Sequence, residues 1–178
     1  HYSLVETTTG NYKNFTEIAA ATFKMTAGKF DKSFTNSEIK NILSEITKLP
    51  PYPDVKPGLQ QLKNSGYKLI AFSNGKPDVL KSQLEFAEID SFFDGIHSVE
   101  EIEKYKPHPN SYQYILSKYE TKAKNALMVA AHAWDILGAK RANLKTCFIE
   151  RPGKSFYHLA KKPEITVSGV DEIAENLN

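Results

Sequence analysis

The sequence predicts an α/β protein: a parallel β-sheet flanked by helices, preceded by an all-helical stretch. Three observations carry this. The first fifty residues show apolar spacings of helical period and no strand-like run. A stiff cluster, Pro50-Pro51-Tyr52-Pro53, then interrupts the chain. Beyond it, short apolar runs alternate with helical patterns, which requires crossover connections and hence parallel strands.

Taken in order, Asn14-Phe15 opens a helix with Ile18, Ala19, Ala21, Thr22 and Met25 on one face, and Gly28 is its stop. Thr35 and Glu38 stand at capping-box spacing before a second helix with the stripe Ile39, Ile42, Leu43 and Ile46. After the prolines, Leu59 and Leu62 mark a short helix ended by Gly66. Lys68–Phe72 reads as a buried strand, and Pro77 starts a helix carrying Val79, Leu80, Leu84 and Ala87. A strand at 95–98 follows, then a helix from Pro109 with Tyr112, Ile115, Leu116 and Tyr119 on one side. Ala126–Ala130 is the clearest buried strand; the helix Trp134–Ala142 and the strand Lys145–Ile149 come next. Residues 163–178 read as a last short strand and a helix. A boundary at the prolines divides the chain into a helical region, residues 1–52, and an α/β region, residues 53–178.

Composition excludes several classes. Lysine plus arginine number 23 and aspartate plus glutamate 21, and a net charge of +2 gives no support for nucleic-acid or membrane-surface binding. Charged residues at 25% and apolar residues at 40% exclude a disordered chain. No apolar run approaches the roughly 20 residues of a bilayer span. The single cysteine, Cys147, excludes an intrachain disulfide scaffold, favours a cytoplasmic setting and reads as a small buried hydrophobe.

Ligands of parallel sheets bind beyond the carboxyl ends of the strands, and three clusters follow strand ends here. Ser73-Asn74-Gly75 offers a hydroxyl and an amide to an anion, although Asn-Gly is also an ordinary turn dipeptide. Lys106-Pro107, with Tyr112 six residues on, offers a cation held extended by the proline; the plain alternative is a solvated surface lysine. His132-Ala133-Trp134-Asp135 places a carboxylate at a helix start, where the helix dipole stabilises it; equally, these are helix-start and packing residues. Phe15 is either a pocket wall or core. There is no Gly-rich phosphate loop, zinc-type spacing or nucleophile elbow.

In order and spacing these clusters resemble the motifs of the haloacid dehalogenase superfamily: Ser73-Asn74-Gly75 the second, Lys106-Pro107 the third and Asp135-Ile136-Leu137-Gly138-Ala139 the fourth. The chain is most similar to the type II 2-haloacid dehalogenases, whose pattern includes Tyr2-Ser3, Asn11–Phe15, Pro51–Val55, Tyr112 and His132–Asp135. The resemblance implies a Rossmann-like core, residues 53–178, under a helical cap, residues 1–52. It implies metal-independent hydrolysis of short 2-haloalkanoic acids through an aspartyl ester, with no cofactor. Ser73 and Lys106 would hold the nucleophilic carboxylate, and Asn74 would cradle the halide. Tyr112 would support the substrate carboxylate or Lys106. Asp135, with His132 beside it, would activate water, and Phe15 and Trp134 would wall the pocket.

The chain departs from that pattern at several positions. Ala131 stands where the superfamily's magnesium-dependent phosphatases carry a second acidic residue, and removing an oxygen ligand disfavours a hard cation. Ala130 and His132 replace a serine and an asparagine common in dehalogenases. The nucleophilic aspartate and a halide-binding arginine match positions upstream of His1, so the expected central strand and nucleophile are outside these residues. Two other functions are weighed: a magnesium-dependent phosphatase of the same superfamily, and a catalytically inactive domain that binds a partner. The expected ligand is a small halogenated carboxylic acid, not nucleic acid or membrane, and the cap helices offer a surface for a homodimer.

Overall fold

The structure, a computed structural model, describes residues 1–177. Its helices are α1 (Tyr2–Thr9), α2 (Phe15–Gly28), α3 (Asn36–Ser44), α4 (Val55–Asn64), α5 (Pro77–Phe86), α6 (Pro109–Lys118) and α7 (Ala133–Arg141). Its strands are β1 (Ile70–Ser73), β2 (Gly95–Ser98), β3 (Leu127–Ala130), β4 (Lys145–Ile149) and β5 (Ile165–Val167). All ladders are parallel, as the alternation of elements requires. β1 pairs with β2 in the register Ile70–Gly95 to Ser73–Ser98. β4 pairs with β3 on one side and with β5 on the other.

Local chemistry sets the helix starts. Both expected N-termini carry reciprocal capping boxes: the Glu17 amide donates to Asn14 and the Asn14 amide to Glu17, each at 3.0 Å. Thr35 and Glu38 exchange the same pair at 3.2 and 2.7 Å. Proline occupies the first turn of α5 and α6, where its missing N–H has no partner to lose.

Two ends differ from expectation. The second helix does not carry its stripe through Ile46 as one α-helix; it stops at Ser44 and tightens into a 3-10 turn, Glu45–Lys48. The residue before a proline avoids the α region, and Leu49 precedes Pro50. The C-terminal segment forms β5 as expected. The expected helix, however, is two 3-10 turns, Val170–Glu172 and Ala174–Leu177. Tighter bonds close there instead, from the Ile173 amide to the Val170 carbonyl at 3.2 Å and from the Asn176 amide to the Ile173 carbonyl at 3.0 Å; Asn178, the end of that expected helix, lies outside the described residues.

The chain forms two compact units, one of residues 1–50 and 70–105, the other of 51–69 and 106–177. One division between the units lies between Pro50 and Pro51, and the block carrying β1, α5 and β2 groups with the N-terminal helices. The first unit is pinned by Tyr105, which is fully buried. Its ring stacks on Tyr12 at 5.3 Å, its hydroxyl donates to the Lys13 carbonyl at 2.7 Å, and its amide donates to Thr7 Oγ1 at 3.0 Å. The second unit is built on Leu62, Cys147, Ile149, Val167 and Ile173, which join α4, β4, β5 and the C-terminal turns in one apolar cluster. α4 approaches those turns through Gly58, where a Cβ would fall 2.4 Å from the Val170 carbonyl carbon. Cys147 is wholly buried and its thiol is pushed up to about 11 by burial, so it packs as a hydrophobe.

Candidate active site

In the second unit, two turns deliver charged side chains to one point. After β3 the chain turns at Ala131, and His132 caps α7 with its carbonyl, which accepts from the amides of Asp135 (3.0 Å) and Ile136 (3.2 Å). This places Asp135 in the first turn, near the positive end of the helix. On the other side, Lys106 precedes Pro107 through a cis peptide bond. His108 then caps α6, its Nδ1 accepting from the Asn110 amide at 3.1 Å, and Tyr112 follows within the first turns.

Lys106 donates from Nζ to Asp135 Oδ2 at 2.8 Å. Tyr112 donates from its hydroxyl to Asp135 Oδ1 at 2.7 Å and reaches the Asp135 carbonyl at 3.1 Å. Lys106 is 6% exposed, Asp135 5% and Tyr112 2%, so the surface-lysine alternative is excluded. Burial, then the Asp135 charge, raises the Tyr112 phenol far above its ordinary range, so it remains a neutral donor. Gly138 makes the cluster sterically feasible. A Cβ there would lie 2.4 Å from the Tyr112 hydroxyl and 2.5 Å from Pro107 Cβ. The tyrosine's hydrogen-bond partner is Asp135, the one carboxylate of this cluster.

His132 and Trp134 flank this cluster on α7 with their rings 5.7 Å apart, both exposed. They line a cleft of about 530 Å³ with Leu137, Lys154 and Tyr157. Lys154 Nζ lies 3.4 Å from His132 Nε2. Partial desolvation where the ring lies against the cleft comes first, then the Lys154 charge, and together they hold the imidazole below its usual range.

Ser73, Asn74 and Phe15 belong to the first unit. Ser73 ends β1, and its hydroxyl accepts from the Gly75 amide at 2.9 Å. Ser98, its register partner on β2, donates to the Gly75 carbonyl at 2.6 Å. The turn reading of Ser73-Asn74-Gly75 is therefore realised, with the serine proton left to donate elsewhere. Asn74 is half-buried in that turn. Phe15 opens α2, 38% exposed, 6.2 Å from the Tyr105 ring. Structure thus brings together Lys106, Tyr112 and Asp135, sets His132 and Trp134 beside them, and groups Ser73 with Asn74 on a separate turn.

Sequence reading missed three participants. In sequence Gly138 is only part of a motif, and its crowding follows from two elements far apart in the chain. Ser98 stands at capping-box spacing from Glu101, but its bond to the Gly75 carbonyl joins distant parts of the chain, and Lys154 sits in a polar loop without a local signal. Among the described residues, no group of three or more His, Cys, Asp or Glu side chains could hold a metal ion, and no helix is long and apolar enough to cross a membrane.

Parallel strands whose carboxyl ends lead into a buried lysine–aspartate pair define an α/β protein with a charged site at the strand tips. A family model described as haloacid dehalogenase-like hydrolase matches residues 4–149, and the chain belongs to that family. It is 27% identical over 172 residues to "Haloacetate dehalogenase H-2" of Moraxella sp. (strain B), covering 97% of this chain and 77% of that protein. It is 25% identical over 177 residues to "(S)-2-haloacid dehalogenase 2" of Pseudomonas sp. (strain CBS-3), covering 99% and 77%. Among solved structures, the L-2-haloacid dehalogenase from Xanthobacter autotrophicus has a TM-score of 0.92 at 22% identity, covering 99% of this chain and 80% of that one. That likeness shows the shared fold. A HAD phosphatase from Thermococcus onnurineus has a TM-score of 0.67 at 25% identity, covering 85% and 68%.

Proposed function

We propose that this chain carries the lysine–aspartate half of a 2-haloacid dehalogenase site, acting on small halogenated carboxylic acids such as 2-chloropropionate. The observation that carries the reading is the buried Lys106–Asp135–Tyr112 cluster beside Ala131, where no second carboxylate stands. The names of the relatives from Moraxella and Pseudomonas support the substrate class.

The chemistry needs an aspartate that none of the matched positions supplies. Its carboxylate attacks C2 of the acid, the carbon–halogen bond breaks with inversion, and halide leaves. The resulting ester is cleaved when water attacks the aspartate carbonyl, which releases a 2-hydroxy acid and restores the carboxylate. Lys106 offsets the nucleophile's charge. Asp135, oriented by Lys106 and Tyr112, takes a proton from water, with His132 adjoining. Trp134 walls the cleft beside Asp135 and excludes water there, while Ser73, Asn74 and Phe15 of the first unit keep the roles the resemblance implies. In this reading residues 1–52 act as cap and 53–178 as core, in a cytoplasmic enzyme that forms a homodimer and uses no cofactor.

The test is halide release from 2-chloropropionate by a protein carrying the aspartate, assayed with a chelator. Release without magnesium is expected. Phosphate release from a phosphomonoester, dependent on magnesium, would instead support the second reading, which the phosphatase likeness favours. Neither activity, with a partner captured by the folded chain, would support a binding domain.

A further inference from the structure

We propose that Lys154 is a positioning residue for His132: it fixes the imidazole as a neutral ring with Nε2 accepting and Nδ1 carrying the only N–H. A lysine ammonium has donors and no acceptor. Its approach to 3.4 Å from Nε2 is therefore favourable only if that nitrogen presents a lone pair. An isolated neutral histidine has no such constraint and protonates near 6.5. Here a protonated ring would set two cations 3.4 Å apart, at the positive end of α7, which His132 itself caps.

The charges facing the ring come from three elements. Lys154 approaches from the loop after β4, Lys106 from the segment before α6, and Asp135 from the same helix. The one anion among them is already paired with Lys106 and bonded by Tyr112, so it offers little to an imidazolium. Packing adds to the constraint: the ring lies 5.7 Å from Trp134, and both line the cleft shared with Lys154 and Tyr157. The lowered basicity of His132, caused first by partial desolvation and then by Lys154, agrees with this geometry.

The consequence for turnover rests on the dehalogenase reading. A neutral ring with a defined N–H gives the site a hydrogen-bond donor without adding positive charge beside Lys106. Losing Lys154 would free the ring to change tautomer or to protonate in the working range.

The experiment is NMR of the folded 178-residue chain with nitrogen-15 in its histidines, of which there are 5, with the His132 signals identified by their loss in His132→Asn. The Nδ1-protonated tautomer is expected at pH 7. Lys154→Met should raise the His132 midpoint by roughly half to one pH unit at low salt, from Coulomb's law in water-like surroundings, and Lys154→Arg should restore it. Added salt should raise the midpoint in the unaltered chain by screening the same pair. An Nε2-protonated ring, or a midpoint indifferent to both Lys154→Met and salt, overturns the proposal. This readout involves no turnover, so it fails or succeeds independently of the halide assay.

Discussion

Two aspartate–cation pairs in the second unit use similar parts for different ends. Asp54 receives both arms of the Arg151 guanidinium at 2.8 and 2.6 Å and the Val170 amide at 2.7 Å. Tyr52 stacks on the guanidinium at 4.3 Å, and Arg151 also donates to the Ser168 carbonyl. Asp135 receives one lysine nitrogen and one phenol. The arginine fork is planar and bidentate, so it splints the start of α4 to the turn after β5. The lysine pair is more deeply buried, and a carboxylate with about four acceptor sites keeps some for a water. The Asp54 carboxylate takes three donors and fits a structural role. The Asp135 carboxylate takes two, which in the proposed reading leaves acceptor capacity for a water.

Four expectations probe that contrast, from largest effect to smallest. Lys106→Met should leave Asp135 as an uncompensated buried charge, costing about 3–5 kcal/mol in urea unfolding. In a protein carrying the nucleophile, halide release should fall by about 10²–10³-fold or more per folded molecule, as for removal of one preorganised electrostatic partner. Asp54→Ala should cost stability of about 2–3 kcal/mol by stranding partly buried donors, with halide release per folded molecule unchanged. If Asp54→Ala silenced turnover as deeply as Lys106→Met, the division of roles would be wrong.

Gly138→Ala should cost about 1–3 kcal/mol, because the added methyl must displace Tyr112 or Pro107. Halide release should fall with it, since the tyrosine would leave Asp135. Equal stability and rate in that variant would mean that the contact gives way freely.

The smallest effect is on acid stability. The Arg151 donors hold Asp54 below the usual carboxylate range. Burial alone would raise Glu164, yet its bonds from Lys140 and Thr146 bring it down to about 2. A carboxyl depressed in the folded state contributes stability that is fully present above its unfolded value, 3.8 for Asp54 and 4.5 for Glu164. That contribution is lost as pH falls through the folded value. The urea midpoint should therefore drop between pH 5 and about 2, less steeply in Glu164→Gln. An identical slope in that variant would remove Glu164 from the account.

Much of the fold was legible because its signals are local. The helix start at Asn14, the capping box at Thr35, first-turn prolines at Pro77 and Pro109, and apolar strand runs all depend on neighbours in sequence. What local pattern did not carry depends on tertiary partners: the C-terminal segment, expected as a helix, forms 3-10 turns around Ile173, which packs into the apolar cluster of the second unit. At the site, residue types and order pointed to Lys106, Tyr112 and Asp135, but not to their connectivity. That Tyr112 serves Asp135 follows from Gly138 letting α6 and the Pro107 segment press against α7, a contact no local spacing encodes.

The most direct measurement is chloride release from 2-chloropropionate, under chelation, by a protein that supplies the nucleophilic aspartate, with Lys106→Met and Asp54→Ala assayed beside it at equal folded concentration. Release is expected from the unaltered protein and from Asp54→Ala, with near-complete loss in Lys106→Met. Undiminished release by folded Lys106→Met would contradict it.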